Sequence, residues 1–187
     1  IKPEEAIKHP KWSMGKKISI DSATLMNKIF EIEEARLLFP KFSKKINIII
    51  HPQSLVHAII QLKNGTSKFI FHNPDMRIPI ANAIYESNLD IKNIIKEDKN
   101  EISGKLEFMK INKKNFPPLK FIKAINRYNS SPIIINAANE ILVDMFLRKT
   151  ISFRSILRHL SLVLTDKKYK KYAIKKPKNV KEILAID

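Results

Sequence analysis

The sequence contains no cysteine and only three glycines, and each shortage excludes a class of site. Without cysteine the chain has no disulfides and no thiolate metal ligands, a composition typical of the reducing cytoplasm, where we expect the protein to reside. With so few glycines there is no glycine-rich fingerprint of a dinucleotide-binding fold. Any dinucleotide site of that kind must therefore lie outside these residues.

Long apolar runs are also lacking. No stretch is long enough to span a bilayer, and the polar start IKPEEAIKHPKW lacks the apolar core of a signal peptide, so we expect no membrane partner. The hydrophobic content of 44% nevertheless suffices for a core in a chain of 187 residues. The chain begins with isoleucine rather than methionine, and we therefore expect it to be a fragment.

Acidic residues are scarce: the sequence contains 18 of them against 35 lysines and arginines, which gives a net charge of +17. Such a charge would favour binding to nucleic acid or to an acidic membrane. The basic residues are, however, spread along the chain, and lysine, isoleucine and asparagine are all abundant, as in an AT-rich coding sequence. We predict no specific nucleic-acid partner and expect part of the charge to attract phosphorylated ligands.

The segment from Trp12 to Arg36 carries the strongest pattern in the chain. It predicts a loop, a short strand over Lys16–Asp21 and a helix capped by Ser22. At 100° per residue, one face of that helix is polar and includes Thr24, Asn27, Lys28, Glu31 and Glu34. The opposite face is apolar and includes Leu25, Met26, Ile29, Phe30, Ile32 and Leu37, with Glu33 and Arg36 spaced to pair with each other.

This polar face has the composition of an anion and cation site. A helix N-terminus presents unpaired N–H groups, and Ser22, Asn27 and Lys28 would add donors for a phosphate. One turn later, the Glu31 carboxylate could ligate a divalent cation. The alternative is an ordinary amphipathic helix with a capped start and a solvated acidic face, and the residues alone leave both interpretations open.

The rest of the chain predicts an α+β fold. A buried strand is expected at 46–50, a hairpin at 55–62 and 66–71 around Asn64-Gly65, and a short helix within 75–85. The polar stretch 86–116 predicts a connection, followed by helices at 117–126 and 132–150, a third starting at Ser152 or Ser155, and a last one at 180–186. His51 is interpreted as structural, and Asn136, Asn139 and Glu140 as hydrogen-bonding within the helical bundle.

Several strings occur in a fixed order: HPKWSMGKKISIDSAT, MNK followed by FE, HPQSLVH, PDMRIPIA and NAANE. Together they resemble the 1-deoxy-D-xylulose 5-phosphate reductoisomerase family, most strongly between His9 and Ala81. The resemblance implies a partial catalytic domain at 1–85, a mixed β-sheet with flanking helices that includes an active-site flap at about 5–16. A connecting segment at 86–116 and a C-terminal α-helical bundle at 117–187 would follow.

The resemblance also implies a reaction and its cofactors. The family converts 1-deoxy-D-xylulose 5-phosphate, a sugar phosphate, to 2-C-methyl-D-erythritol 4-phosphate for non-mevalonate isoprenoid synthesis, using NADPH and Mg²⁺ or Mn²⁺, and a homodimer is expected. The family's nucleotide-binding domain and two further metal carboxylates would lie before Ile1, so this chain alone is expected to be inactive.

The roles implied for individual residues follow the matched strings. The phosphate would be held by Ser22, Asn27 and Lys28, and the metal by Glu31, which is also a catalytic and substrate-binding residue. His9 would contact substrate and act in catalysis with a supporting His57, while Trp12 and Met14 close the flap. NADPH would meet Gly15 and Met76, and Glu34 would support Glu31.

One departure from the family pattern is Ile29, where a small residue is common, and we expect it to repack on the apolar face. Two other kinds of function stay open at this point. The chain could be a basic nucleic-acid-binding module that uses Lys167–Lys181, or a remnant with only a structural or dimerisation role.

Overall fold

The computed structural model describes residues 1–8, 14–85, 90–95, 105–111 and 117–187, without the side chains of Asn93 and Pro117. Its fold is α+β, as the sequence predicts. The described residues fall into two compact units. The first unit is formed from the stretches 1–48 and 111–187, and the second from residues 49–110.

The first unit is helical. Its α-helices are α1 (Pro3–Ala6), α2 (Lys16–Thr24), α3 (Met26–Leu38), α5 (Phe121–Ile125), α6 (Ser131–Leu147), α7 (Phe153–Thr165), α8 (Tyr169–Ala173) and α9 (Val180–Leu184). Short 3-10 helices occupy Pro40–Lys45 and Pro117–Lys120. The predicted helices at 117–126, 132–150 and 180–186 are confirmed to within a few residues, and α7 follows Ser152, one of its two predicted starts. Helix α8 was not predicted.

The predicted strand at Lys16–Asp21 is wrong, because these residues form the first two turns of α2. Alternation of only Ile18 and Ile20 is a short signal, and tertiary packing overrides it. The helix buries Ser19, Ile20, Asp21 and Thr24 on one face, whereas Ile18 is exposed. Nearer the start of the chain, the short helix α1 buries Ala6.

Ser22 is therefore not a helix N-cap. It lies in the last turn of α2, where its carbonyl oxygen accepts the Leu25 N–H at 3.1 Å. Leu25 has a left-handed conformation with φ of 63°, which ends α2 and starts α3 in a new direction. A β-carbon makes this conformation unfavourable by about 1–2 kcal/mol, so the surrounding contacts must hold it.

The apolar face of α3 enters the core of the first unit. Met26, Ile29 and Ile32 are buried as predicted, whereas Leu37 is 71% exposed at the end of the helix. The core combines α2 and α3 with the later helices through a cluster that includes Ile20, Phe121, Ile125, Ile135, Val143, Phe146, Ile156 and Leu160. Within the described ranges, no helix combines the length and apolar character needed to cross a bilayer.

In the second unit, the described residues form four short strands and helix α4 (Arg77–Tyr85). Strands β2 (Val56–Gln61) and β3 (Ser67–Phe71) form the predicted hairpin, in which Gly65 takes a φ of 86° that favours glycine. Strand β1 (Ile49–Ile50) pairs antiparallel with β4 (Met109–Lys110). The described strands thus form two antiparallel pairs instead of the expected mixed sheet, and Ile49 is 46% exposed where a buried strand was expected.

The predicted domain ranges do not coincide with these two units. Residues 1–8 and 14–48 pack with the described residues of 111–187, although the prediction placed them with 49–85. The reason is burial: α2 and α3 place Ile20, Met26 and Ile29 against the core of the later helices. The predicted connection at 86–116 also supplies β4, which pairs with β1 in the second unit.

An ion pair within α3 lies largely out of contact with solvent. Arg36 Nη1 lies 4.0 Å from Glu33 Oε2, and their side chains are 23% and 13% exposed. Within the described part of the chain neither atom has a hydrogen-bond partner. Burial raises the pKa of the Glu33 carboxyl, and the charge of Arg36 offsets this only in part. The folded state therefore binds this proton more tightly than the unfolded chain does.

We expect Glu33→Gln to stabilise the first unit at pH 7. Because the folded pKa is raised, the contribution of Glu33 is fully present below the usual pKa of 4.5 and is lost as the pH rises through the folded value. The amide keeps an acceptor for Arg36 without a buried charge, so the melting temperature at pH 7 should rise by about 2–4 °C. The difference from wild type should vanish below pH 4.5 in thermal melts followed by circular dichroism.

The matched control is Glu34→Gln, which makes the same chemical change at the exposed neighbouring position. It should leave the melting temperature at pH 7 nearly unchanged. A Glu33→Gln protein with a melting temperature below that of wild type at pH 7 would show that the ion pair stabilises the fold by more than the burial of its carboxylate destabilises it.

Candidate functional site: the first turn of α3

Three of the residues predicted to bind substrate or metal meet at the start of α3. Asn27 Nδ2 donates a hydrogen bond of 2.5 Å to Glu31 Oε1, and Lys28 Nζ forms an ion pair with Glu31 Oε2. The side chains of Lys28 and Glu31 are each 43% exposed. An ammonium group, an amide donor and a carboxylate thus lie side by side, partly exposed and within reach of a small polar ligand.

The electrostatics at this end of α3 favour an anion. The N-cap position belongs to Leu25, which offers no side-chain acceptor, and the first turn contains no acidic residue. The N–H groups of a first helical turn have no partners further back in the helix, and the helix dipole adds partial positive charge there. With Lys28 beside them, these groups provide the donors that a phosphate requires.

Ser22 stays next to this turn although it does not cap it. It lies three residues before Leu25, half-buried, with its carbonyl oxygen bonded to the Leu25 N–H. The hydroxyl of Thr24 donates to the Asp21 carbonyl oxygen at 3.2 Å and accepts the Met26 N–H at 3.4 Å. Thr24 therefore bridges the end of α2 and the beginning of α3, and it is buried, although helical periodicity placed it on the polar face.

The residues before α2 are described only in part. His9 and Trp12 lie outside the described residues. Met14 is half-buried, and Gly15 is the N-cap of α2, with its carbonyl oxygen accepting the Ser19 hydroxyl at 3.0 Å. The φ of Gly15 is −60°, and a β-carbon there would meet nothing within 4 Å. Neither the backbone conformation nor the contacts within this chain therefore require glycine at this position. The exposed backbone at Gly15 leaves room for a ligand.

The remaining predicted site residues belong to the second unit. His57 Nε2 lies 3.0 Å from the carbonyl oxygen of His72, so this nitrogen carries the proton and donates. The two imidazole rings stack with centroids 3.8 Å apart. Met76 immediately precedes α4 and is 56% exposed. His51 Nδ1 donates to the Glu107 carbonyl oxygen at 2.8 Å and its ring stacks on Phe108, which ties it to the β1–β4 pair.

Glu31 by itself is a poor match to a complete metal site. Hard divalent cations take about six oxygen ligands, several of them carboxylates. Within the ranges that the structure describes, no group of three histidine or acidic side chains could hold an ion. Both Glu31 oxygens already have donors in Asn27 and Lys28. Glu31 fits one ligand position of a shared site, and further ligands would have to come from elsewhere.

The sequence analysis missed Asp21 as a residue near the site. Its side chain is buried, receives a hydrogen bond from Asn139 Nδ2 at 2.8 Å and pairs with Lys17 Nζ at 2.8 Å. Treating Lys16–Asp21 as a strand hid the spacing of four residues between Lys17 and Asp21, which is the spacing of a helical ion pair. Asn139 was expected to bond within the later helices, yet its partner lies on α2.

Comparison with known families identifies this fold. A model described as "1-deoxy-D-xylulose 5-phosphate reductoisomerase C-terminal domain" matches residues 1–39. A second, described as "DXP reductoisomerase C-terminal domain", matches residues 71–187, more than half of the chain. The first match includes every residue of the α3 site.

Curated relatives of the chain bear the same name. The 1-deoxy-D-xylulose 5-phosphate reductoisomerase of Pelagibacter ubique is 41% identical, over 98% of this chain and 47% of the relative. That of Prosthecochloris aestuarii is 40% identical, over 100% of this chain and 48% of the relative. The chain thus spans about half the length of the curated relatives that it matches.

Solved structures agree with these matches. The reductoisomerase from Zymomonas mobilis in complex with NADPH has 31% identity and a TM-score of 0.77, covering 100% of this chain and 46% of the other. A DOX-P reductoisomerase in complex with NADPH, fosmidomycin and magnesium has 33% identity and a TM-score of 0.88, covering 100% and 47%. On sequence and fold together, this chain belongs to the 1-deoxy-D-xylulose 5-phosphate reductoisomerase family.

Proposed function

We propose that this chain is the part of a 1-deoxy-D-xylulose 5-phosphate reductoisomerase that holds the substrate phosphate and supplies one carboxylate ligand of the catalytic metal. The observation that carries the proposal is the grouping of Asn27, Lys28 and Glu31 on one turn of α3. The enzyme would convert 1-deoxy-D-xylulose 5-phosphate to 2-C-methyl-D-erythritol 4-phosphate with NADPH. Since the chain spans about half of its relatives, the nucleotide-binding half and the other metal carboxylates are proposed to be supplied by a preceding segment.

Phosphate binding is proposed to rearrange the side chains at the start of α3. Lys28 is now paired with Glu31, and a phosphate dianion would attract Lys28 more strongly than a half-exposed carboxylate does. Asn27 and the hydroxyl of Ser22 would add neutral donors. The exchange moves Lys28 away from Glu31, whose carboxylate then becomes available to a cation. Binding of substrate and binding of metal would therefore support each other at this turn.

Glu31 would hold Mg²⁺ or Mn²⁺ together with ligands from the preceding half. When bound, the cation polarises the substrate carbonyl and stabilises negative charge on its oxygens while a carbon–carbon bond breaks and another forms. Glu31 fixes the distance between the phosphate and the reacting oxygens, because it lies one helical turn from Lys28 on a rigid element. Glu34, on the next turn, is proposed to support it.

Other residues are proposed to complete the site around the reacting carbons. His9, Trp12 and Met14 would close a flap that excludes water, with His9 also contacting substrate. His57, whose ring is fixed by His72, would assist near the substrate. Gly15 and Met76 would contact NADPH, which would supply the hydride for the reduction. The cysteine-free composition supports a cytoplasmic location.

A homodimer is proposed for the complete enzyme. Within the described residues, β2 and β3 pair only with each other, and a hairpin of two strands is rarely stable alone in water. Ile60, Phe69 and Ile70 of this hairpin are each about half exposed, at 47%, 50% and 47%. We expect light scattering of the complete enzyme to give twice the subunit mass, and a monomeric mass at micromolar concentration would contradict the proposal.

The first test of the phosphate site is Lys28→Met in the complete enzyme, with substrate-dependent oxidation of NADPH as the assay. Loss of one charged hydrogen bond to phosphate should raise KM for 1-deoxy-D-xylulose 5-phosphate by about thirtyfold. Lys41→Met, at an exposed position of the same unit, removes the same charge and should leave KM unchanged. Equal increases for both variants would assign the effect to net charge and not to a site.

The metal role of Glu31 predicts a different kinetic signature. Glu31→Gln keeps the size of the side chain and removes its charge, so kcat should fall by at least about a hundredfold with a smaller change in KM for substrate. Titration with Mn²⁺ should show weaker activation than in wild type. Glu140→Gln, on the exposed face of α6, is the control. Full activity of Glu31→Gln at wild-type metal concentrations would rule out the role.

A further inference from the structure

A buried hydrogen bond connects helix α6 to the helix that precedes the α3 site. Asn139 Nδ2 donates to Asp21 Oδ1 at 2.8 Å, and the two residues are 0% and 3% exposed. Lys17 Nζ, four residues before Asp21 on α2, lies 2.8 Å from the other carboxylate oxygen. Both oxygens of a buried carboxylate thus have donors, one from its own helix and one from a residue 118 positions away in sequence.

From Asp21 the hydrogen bonds continue to the first residue of α3. The Asp21 carbonyl oxygen accepts the Thr24 hydroxyl at 3.2 Å, and Thr24 Oγ1 accepts the Met26 N–H at 3.4 Å. Leu25, between them, has the left-handed φ of 63°. This series of hydrogen bonds from Asn139 to Met26 therefore spans the break between α2 and α3.

Apolar packing alone would hold this direction less firmly. Ile20, Met26 and Ile29 are buried in the shared core, but apolar contacts have no preferred direction and tolerate small sliding of one helix on another. A hydrogen bond to a buried carboxylate is directional and costly to break. A left-handed leucine also needs surroundings that enforce it.

The other side-chain atom of Asn139 strengthens this argument. Asn139 Oδ1 is buried and, within the described residues, has no hydrogen-bond partner. An unsatisfied buried oxygen is destabilising, so an apolar residue of similar size would suit a position with only a packing role better. The amide of Asn139 compensates for this cost by donating a hydrogen bond to Asp21.

We propose that Asn139 is a positioning residue for substrate phosphate: through Asp21 and Thr24 it holds the break at Leu25 that aims the first turn of α3. The inference rests on the proposed phosphate site at Asn27 and Lys28. It extends that site to α6, which the resemblance placed in the C-terminal α-helical bundle. Asn139 does not itself touch substrate.

The test compares Asn139→Leu with Val143→Ala in the complete enzyme. Val143 lies one turn further along α6 and is 1% exposed, so its truncation lowers stability without touching Asp21. Asn139→Leu should raise KM for 1-deoxy-D-xylulose 5-phosphate by about tenfold, with kcat and KM for NADPH changed by less than about threefold. Val143→Ala should lower the melting temperature and leave all three constants unchanged.

A swapped pair distinguishes positioning from packing. Asn139→Asp alone opposes two buried carboxylates and should raise KM for substrate more than Asn139→Leu does. Adding Asp21→Asn restores the hydrogen bond with the roles exchanged, because position 21 then carries the amide donor and position 139 the carboxylate acceptor. KM for substrate should return to within about threefold of wild type. Lys17 is 39% exposed and can be solvated when its carboxylate partner is removed.

Each outcome bears on one proposal. A wild-type complete enzyme without substrate-dependent NADPH oxidation would overturn the proposed function. An active wild type with Asn139→Leu unchanged in KM but lower in melting temperature would overturn the positioning role and leave the function standing. If Asn139→Leu does not fold, the swapped pair decides. A swapped pair with wild-type KM, beside a raised KM for Asn139→Asp alone, supports the positioning role. A swapped pair whose KM stays tenfold above that of wild type, at a normal melting temperature, overturns it.

Discussion

The break between α2 and α3 is the constraint on which the candidate site depends. A left-handed leucine separates the two helices, and this N-cap residue of α3 offers no side-chain acceptor of its own. Since this conformation is unfavourable for leucine, neighbouring groups must enforce it. Thr24 bridges the break, and Asp21, fixed by Lys17 and Asn139, anchors it to the rest of the first unit.

The chemistry at the surface follows from this backbone arrangement. A helix start attracts an anion, and a carboxylate one turn later attracts a cation, so the two preferences are held about one helical pitch apart. Without ligands, Lys28 and Glu31 satisfy each other. Under the proposed function, these two side chains would exchange partners when a phosphate and a cation bind.

The grouping of the polar residues in the candidate site was predicted from the sequence, but their backbone setting was not. Asn27, Lys28 and Glu31 fall on one helical face at 100° per residue whether the helix begins at Ser22 or at Met26, so their grouping survived the wrong start. The predicted role of Ser22 depended on where the helix begins. Ser22 is not an N-cap but lies in the last turn of α2. Asp21 could not be assigned, because its partner Asn139 is remote in sequence.

Local interactions are what the sequence by itself determined: the hairpin around Gly65, the helices α5, α6, α7 and α9, the apolar face of α3 with Ile29 buried, and the motif order that identifies the family. Turn chemistry and helical periodicity act over a few residues and can be recognised without a partner. The tertiary structure alone decided that residues 16–24 are helical, that residues 1–48 share a core with 111–187, and that Leu25 is left-handed. The first two depend on burial of α2 and α3 against the later helices, and the free energy of that burial exists only once distant segments have packed together.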